Sequence, residues 1–435
     1  MRVLMTYFPY PSHLYPMVPL AYALREAGHD VHVASASEEA GTIRAAGLTP
    51  VDLGSRTEWR DTAHWADSPL WQAREKELRR ITDALPPSLS SSDRTHWDFV
   101  RHQFLPVQAY YFTPDRPGGH RPMVDGLVDF ARAGRPDLVL WDFTFPTAAV
   151  AAHVCGAAHA RFTWGLDYLG WAREQFVRWR HEAGPGLGED PQVVQATAAA
   201  ARFGLPYSED MVLGQWTIEA TAGLPQLPLE TTRMRVRQIP YSQESVTPDW
   251  VDAPRSRPRV CLTLEWDSEG RLADTDVALS DVVGALAGLD AEIVMIFPAE
   301  QLRHSGPLPA NVRAESYVPF GRLLPTCSAL VHYGGVGSFA AAVAHSVPQV
   351  IIPRNLGNSE ALLRHVEDSG AGLGVSLAQS SPAQLTDRIE RVLREPDFQR
   401  GADRLRSDMS VVPAPHSLVP ALEDLTGRVR LPGTA

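Results

Sequence analysis

The chain has 435 residues, of which 44% are apolar, and this length and composition favour two domains with ordinary cores over one. Its 51 acidic and 40 basic residues are interspersed and give a net charge of −11, which argues against nucleic acid or an anionic membrane as the main partner. No apolar run reaches about 18 residues, so we expect no membrane span.

The amino-terminal segment predicts a strand, a helix and a second strand. Val3 to Met5 are apolar, residues 16–27 repeat their apolar side chains at helical spacing, and residues 31–34 form the next apolar run. Such a unit favours a parallel sheet. His13 lies in the loop after the first strand, at the edge where open α/β sheets bind ligands. A surface role for this histidine stays open.

An aromatic-rich segment follows between residues 55 and 130. It is less regular than the rest of the chain and predicts short helices and long loops that form a ligand pocket. Ordinary aromatic packing would explain each tryptophan equally well. The candidate pocket residues are Trp59, Trp65, Trp71 and Trp97.

Asp142 directly follows a predicted strand at residues 138–141. Carboxyl ends of parallel strands meet at one edge of a sheet, so we expect this carboxylate on the same edge as His13. The alternative is that Asp142 caps the helix that starts near Pro146.

The second half of the chain predicts another α/β domain. Residues 230–258 contain four prolines and few apolar runs, which is typical of a linker. Helical segments alternate with predicted strands, and a last helix is expected near residues 417–428. The strands are expected near residues 260–264, 292–297, 314–317, 329–332, 349–352 and 373–375.

A glycine-rich turn begins at His332, between the strand at 329–331 and an alanine-rich helix. The amino end of that helix presents free N–H groups and the positive end of the helix dipole, and both attract phosphate. His332 can add a donor or a positive charge. The glycine spacing is not the dinucleotide fingerprint and lacks the lysine of a P-loop. A purely structural strand-to-helix turn stays open as the alternative.

Several runs of residues carry a family resemblance. The front has SH-xx-P-x-V-P-L-A-x-A-L-x-x-A-G-H-x-V, and the back has HYGGVGS followed by VPQ-xxx-P. These motifs resemble antibiotic-type glycosyltransferases of the GT-B fold over essentially the whole chain. VLGQWTIE and PDWVDAPRSRPRVCLTL are similar to a subgroup that adds deoxysugars to macrolides and related polyketides, such as desosaminyl and mycarosyl transferases.

The resemblance implies an α/β chain of two Rossmann-like, doubly wound domains that face each other across a cleft. It predicts an acceptor-binding domain at 1–230, a linker at 231–258 and a nucleotide-sugar domain at 259–415. Residues 416–435 are expected to form a helix that returns to the first domain.

The implied reaction is metal-independent transfer of a deoxysugar from a TDP-sugar to a polyketide hydroxyl, with no cofactor beyond this nucleotide-sugar co-substrate. A hydroxyl is a poor nucleophile near neutral pH and needs a base. His13 is the candidate base, and Asp142 is expected to hold its other nitrogen. Single displacement by the activated hydroxyl predicts inversion at the anomeric carbon.

Donor contacts follow from the resemblance by position, and the four tryptophans are assigned to the acceptor pocket. After VPQVIIP the family usually has Asp-Gln, which binds sugar hydroxyls, whereas this chain has Gly357 and Asn358. The change fits a deoxysugar with fewer hydroxyls, and it fits weakened or absent activity equally well. The expected donor-binding residues are Thr263, Tyr317, Val318, His332, Gly335, Gly337, Ser338, Asn358 and Glu360.

Two other functions remain open. A non-catalytic member would only bind a donor or a partner enzyme, and an epimerase of the same fold would need no acceptor pocket. The joint presence of His13 and Asp142 argues against the first, and the aromatic-rich segment argues against the second. Asp274 and Asp276 match the Asp-x-Asp run of metal-dependent transferases, but acidic residues also complement a helix start, so we expect no metal.

The expected partners are a TDP-sugar and a polyketide aglycone, without nucleic acid. The resemblance adds an auxiliary activator protein similar to a haem-thiolate monooxygenase, and it leaves a homodimer open. Cys155, Cys261 and Cys327 are scattered beside apolar residues, which predicts buried free thiols in a reducing cytoplasm. The first residues lead directly into a strand, so we expect no signal peptide.

Overall fold

A computed structural model describes residues 1–55, 69–112, 122–243, 245–267, 269–272, 275–354, 357–377 and 381–429. These residues divide into two compact units, each with its own sheet. The first unit comprises Met1–Ala220, Gln226–Val236 and Pro413–Ala435, and the second comprises Thr221–Pro225 and Arg237–Val412.

The sheet of the first unit is doubly wound. Its strands are β1 (Arg2–Thr6), β2 (Asp30–Ser35), β3 (Thr49–Asp52), β4 (Leu138–Asp142), β5 (Ala158–Trp164), β6 (Trp216–Thr221) and β7 (Arg233–Arg237). Their spatial order is β3-β2-β1-β4-β5-β6-β7, and the pairs from β3 to β6 are parallel. The strand order reverses between β1 and β4, which makes their carboxyl ends the topological switch point of this sheet.

Helices cover this sheet. They are α1 (Pro11–Leu14), α2 (Val18–Glu26), α3 (Ala40–Ala45), α4 (Pro69–Asp83), α5 (Ser91–Phe99), α6 (Leu105–Phe112), α7 (Pro122–Gly134), α8 (Thr147–Cys155), α9 (Tyr168–Ala183), α10 (Pro191–Ala201) and α11 (Asp210–Leu213). Helix α8 is buried from Thr147 to Ala152 and packs against α7. Its alanines bring the backbone close to its neighbours, which fixes the turn between β4 and α8.

The second unit repeats the architecture. Its strands are β8 (Arg259–Thr263), β9 (Glu292–Ile296), β10 (Val312–Glu315), β11 (Ala329–His332), β12 (Gln349–Ile351) and β13 (Gly372–Gly374). They lie in the order β10-β9-β8-β11-β12-β13, and every pair is parallel. The helices are α12 (Leu279–Leu286), α13 (Phe320–Leu323), α14 (Val336–Ala344), α15 (Gly357–Asp368), α16 (Pro382–Arg394) and α17 (Pro396–Ser410). The switch point of this sheet lies between β8 and β11.

The last helix of the chain, α18 (Pro415–Val429), belongs to the first unit. It packs against α2. His29, which lies just after α2, places Nε2 at 3.0 Å from a carboxylate oxygen of Glu423 on α18. This contact and the buried side chains of Leu418, Val419 and Leu422 attach the carboxyl-terminal helix to the unit that contains β1.

The edge strand β7 differs from the expectation, because it lies inside the stretch predicted to be a linker. Arg233 and Arg235 donate to the buried carboxylate of Glu219 on β6, at 3.0 and 3.1 Å. Val236, on the same strand, is buried. A buried carboxylate requires such partners, so a segment that is polar in sequence is held in the sheet.

None of the helices in the described ranges has both the length and the apolar composition that a membrane crossing requires. Cys155, Cys261 and Cys327 are free thiols, and only Cys261 is fully buried. Burial raises the pKa of the Cys261 thiol well above its usual range, so this thiol stays protonated and unreactive near neutral pH.

We expect Gly401→Ala to destabilise the second unit, by about 1–3 kcal/mol. Gly401 lies in α17, where a Cβ would overlap the carbonyl oxygen of Gly370 in the turn before β13. The matched control is Gly427→Ala in α18, where a Cβ would meet no described atom within 4 Å. The control should be neutral, or stabilising by up to about 1 kcal/mol. Urea unfolding curves measure both changes, and equal effects of the two substitutions would contradict the packing of α17.

Candidate active site

His13 is held at the carboxyl end of β1 by a single helical turn. Pro11 begins α1 with a fixed φ angle, and the backbone N–H of His13 donates to the carbonyl of Tyr10 at 2.9 Å. The sequence predicted a loop here, and the structure has the short helix α1 followed by α2. The histidine therefore sits in a defined backbone conformation close to the switch point.

Asp142, the last residue of β4, meets His13 at this edge. The distance from His13 Nδ1 to Asp142 Oδ2 is 2.5 Å, and the carboxylate is fully buried while the imidazole is 16% exposed. An ionised carboxylate only accepts hydrogen bonds, so Nδ1 carries the proton that points at Asp142. In the neutral ring the lone pair is then on Nε2, where it can accept a proton.

Thr144 holds the other oxygen of this carboxylate. Its backbone N–H and its hydroxyl both donate to Asp142 Oδ1 at 2.8 Å. Helix α8 starts at Thr147 after Pro146, and neither Asp142 nor Thr144 caps it. The helix-cap alternative for Asp142 is therefore wrong, because its side chain turns back onto the loop between β4 and α8.

In the described part of the chain, the rings of Trp164 and Phe8 pack against the His13 imidazole. The Trp164 ring lies 4.8 Å from it between centroids in an edge-to-face arrangement, and the Phe8 ring lies 5.1 Å from it. Trp164 is the last residue of β5, so three neighbouring strand ends contribute to the site. These rings exclude water from part of the imidazole and limit its rotation.

The prediction that four tryptophans line an acceptor pocket does not have the same outcome for all of them. Trp59 and Trp65 lie outside the described residues, and Trp71 lies in α4 with its side chain outside them. Trp97 is only 2% exposed, its indole N–H donates to Thr82 Oγ1 at 2.9 Å, and its ring packs against Trp179. The pocket assignment of Trp97 is wrong, because packing against other aromatic rings buries almost all of its surface.

In the second unit, Thr263 and His332 end the neighbouring strands β8 and β11 and are paired in register. Thr263 is half-buried, and His332 is fully buried. Both residues therefore lie at the switch point of the second sheet, where the glycine-rich turn begins.

His332 is neutral and bonded within the protein. Its Nδ1 accepts from the N–H of Gly334 at 3.2 Å, and its Nε2 therefore carries the proton and donates to Gln349 Oε1 at 3.0 Å. Burial lowers the pKa of His332 to about 4, and the Gln349 hydrogen bond opposes that shift only in part. Of the donor or positive charge that the sequence allowed for His332, the charge is absent at neutral pH and the ring N–H donates to Gln349.

Each glycine of the turn occupies its position for a different physical reason. Gly334 has φ +86°, and a Cβ there would lie 2.9 Å from the Cα of Ser359, so only glycine fits. Gly335 precedes α14, and a Cβ there would lie 3.0 Å from the Tyr333 hydroxyl. A Cβ at Gly337 would meet no described atom within 4 Å, so the space above the first turn of α14 is open within this unit.

The remaining donor candidates lie around this turn and β10. Ser338 is half-buried in the first turn of α14, and Glu360 is exposed in the first turn of α15, next to the half-buried Asn358. Tyr317 is 42% exposed, and its hydroxyl donates to the carbonyl of Gln243 at 2.9 Å. The Val318 side chain is buried in the core, so this residue can offer only backbone groups to a ligand.

Three residues at the two switch points were not selected from the sequence. Thr144 donates to Asp142, as described above, and its hydroxyl oxygen lies 3.4 Å from His13 Nδ1. Arg354, just after β12, forms an ion pair with Glu265, just after β8. The sequence could have revealed these residues only by their position, because each of them follows the end of a predicted strand.

One cluster in the described part of the chain has metal-ligand side chains, formed by His153, His159 and Asp210 with all ligand atoms within 4.8 Å. It lies at the amino end of β5, away from His13. His159 Nδ1 accepts from Trp141 Nε1 at 3.3 Å, so His159 Nε2 carries the proton and faces Asp210 at 3.4 Å. His159 would have to release this proton to bind a metal, and the described side chains form a cluster of two histidines around one carboxylate. Asp274, of the Asp-x-Asp run, lies outside the described residues.

Family comparisons agree with this architecture over most of the chain. Residues 22–265 match the N-terminal domain, and residues 280–425 the C-terminal domain, of the family described as erythromycin biosynthesis protein CIII-like. The chain belongs to this family. It is a glycosyltransferase with the GT-B fold, and its resemblance to deoxysugar transferases of antibiotic biosynthesis is confirmed.

Individual CIII-like relatives are similar along their whole length. The aclacinomycin-T 2-deoxy-L-fucose transferase of Streptomyces galilaeus is 36% identical over 99% of this chain and 97% of its own. The 10-deoxymethynolide desosaminyltransferase of Streptomyces venezuelae is 37% identical over 99% of each chain. The crystal structure of glycosyltransferase VinC in complex with dTDP has a TM-score of 0.82 at 33% identity, covering 98% of this chain and 100% of VinC.

Burial of neutral His332 predicts a loss of stability in acid. Its folded pKa of about 4 lies below the ordinary 6.5, so the unfolded chain binds the proton first as the pH falls. The stabilisation is complete above about pH 6.5 and declines towards pH 4, by about 3 kcal/mol in total. Denaturant unfolding should therefore show the advantage of the wild type over His332→Asn shrinking by that amount between these pH values. A constant difference would contradict the neutral, buried ring.

Proposed function

We propose that this CIII-like protein is an inverting glycosyltransferase that moves a deoxysugar from a TDP-sugar to a hydroxyl of a polyketide aglycone, macrolide or aromatic. The 2.5 Å contact between His13 Nδ1 and Asp142 Oδ2 carries the proposal. It leaves a lone pair on Nε2 of a neutral imidazole, which is the group that activation of a hydroxyl requires.

In the proposed reaction, His13 Nε2 takes the proton of the acceptor hydroxyl while the hydroxyl oxygen bonds to the anomeric carbon. The bond from that carbon to the diphosphate breaks, and its electron pair leaves with TDP. Asp142 stays ionised and stabilises the imidazolium through the Nδ1 proton. Attack opposite the leaving group inverts the anomeric configuration.

The leaving diphosphate gains negative charge as its bond breaks, and the amino end of α14 is suited to receive it. The first-turn N–H groups of Val336, Gly337 and Ser338 have no acceptor within the helix, and the helix dipole adds positive potential there. His332 supports this role by holding the N–H of Gly334 through its Nδ1 rather than by its charge. Thr263, at the end of the neighbouring strand, is proposed to lie near the phosphates.

The substrate class rests on the relatives. One transfers 2-deoxy-L-fucose and another transfers desosamine to 10-deoxymethynolide, according to their names, and VinC binds dTDP. A sugar with fewer hydroxyls also fits Gly357 and Asn358, which replace the usual hydroxyl-binding Asp-Gln of the family. Metal independence, an auxiliary protein similar to a haem-thiolate monooxygenase and a homodimer stay predictions.

Substitution of His13 by alanine tests the base directly. We expect His13→Ala to lower kcat at least about 100-fold, because the hydroxyl loses its proton acceptor. Binding of TDP should be retained, because the glycine-rich turn belongs to the second unit. Product formation is followed by chromatography with mass detection, and TDP binding by thermal shift.

The matched control for this test is His416→Ala, which removes an exposed histidine of α18. The control should transfer sugar at the wild-type rate. If His13→Ala also keeps that rate, the assignment of His13 as base is wrong. If both variants lose TDP binding, the cause is damage to the fold and not loss of the base.

A further inference from the structure

The carboxylate of Asp142 is held at both oxygens. Oδ2 faces His13 Nδ1 at 2.5 Å, while Oδ1 accepts the N–H and the hydroxyl of Thr144, each at 2.8 Å. Asp142 is fully buried and Thr144 is 4% exposed. With two donors from Thr144 on one oxygen, rotation of the carboxylate about its last bond would break two hydrogen bonds inside the protein.

The proton on the Thr144 hydroxyl is committed to this carboxylate. The hydroxyl oxygen also lies 3.4 Å from His13 Nδ1, which is too long for a strong hydrogen bond. Because the hydroxyl proton points at Asp142, only an oxygen lone pair can face His13. Thr144 therefore favours the tautomer of His13 with the proton on Nδ1. It disfavours the tautomer with the proton on Nε2, which could not accept a proton there.

We propose that Thr144 is a positioning residue that orients Asp142 and thereby keeps His13 Nε2 free to accept a proton. The proposal rests on the role of His13 as general base stated above. The backbone N–H alone fixes one point on Oδ1, whereas the hydroxyl adds a second donor, and its oxygen lies 3.4 Å from His13 Nδ1.

Thr147, three residues further on, offers a matched comparison. It is also fully buried, and its hydroxyl has no hydrogen-bond partner among the described residues. Substitution by valine removes a hydroxyl at either position with little change in shape. Only at Thr144 does that hydroxyl contact the His13–Asp142 pair.

Steady-state kinetics of Thr144→Val, Thr144→Ser and Thr147→Val test the proposal. We expect Thr144→Val to lower kcat at least about tenfold with little change in KM for the donor, because Asp142 loses the donor that fixes its orientation and His13 Nε2 is then less often free to accept a proton. The acidic limb of the kcat profile should move to higher pH, since a carboxylate with fewer donors holds the proton on His13 more strongly. Thr144→Ser should restore both properties, and Thr147→Val should equal the wild type.

Three results would overturn the proposal. The first is a wild-type rate and pH profile in Thr144→Val. The second is an equal loss in Thr147→Val, which would mean that buried packing alone matters. The third is failure of Thr144→Ser to restore the rate. If His13→Ala keeps full activity, the base assignment fails separately, and that result is distinguishable from each of these.

A measurement without substrate covers the case in which a variant has little activity. The short hydrogen bond from His13 Nδ1 should give a proton NMR resonance far downfield, assigned by its absence in His13→Ala. We expect this resonance to shift or broaden in Thr144→Val and to be unchanged in Thr144→Ser and Thr147→Val. An unchanged resonance in Thr144→Val would show that the hydroxyl does not position the pair.

Discussion

Parallel pairing of β1 with β4 is the constraint on which the candidate site depends. Thr6 pairs with Trp141 across these strands, so the residues that follow them leave the sheet at the same edge. His13 and Asp142 are 129 positions apart in the chain, yet their side chains meet at 2.5 Å. A buried carboxylate is costly without partners, and this edge supplies one histidine and one threonine to satisfy it.

The second unit uses the same constraint for a different chemistry. Pairing of β8 with β11 places Thr263 beside His332, and the chain then turns through Gly334 into α14. Because His332 is neutral and bonded to Gly334 and Gln349, the phosphate binding that we propose for this turn depends on backbone N–H groups and the helix dipole. A site built from backbone donors depends on the conformation of the turn, which explains why Gly334 leaves no room for a side chain.

Strand ends and the glycine-rich turn were predictable from sequence, because apolar runs and glycine spacing depend on residues that are neighbours in the chain. The neighbourhood of His13 and Asp142 followed from these signals, whereas the doubly wound architecture was inferred from the family resemblance and the strand orders come from the structure. The neutral state of His332 did not, because it depends on burial and on Gln349, which lies on another strand. Strand β7 was missed because its arginines bond a carboxylate buried on β6, and Trp97 was misassigned because its partners lie on α4 and α9. Thr144 was not assigned to the site, because its contact with Asp142 depends on the direction of one hydroxyl.

The anomeric configuration of the product tests the central claim most directly. The purified protein is incubated with a TDP-deoxysugar and 10-deoxymethynolide, the acceptor in the name of one relative, and the linkage is read from the NMR coupling of the anomeric proton. Direct attack by a hydroxyl activated at His13 predicts a configuration opposite to that of the donor. A product that retains the donor configuration would contradict single displacement and the role assigned to His13.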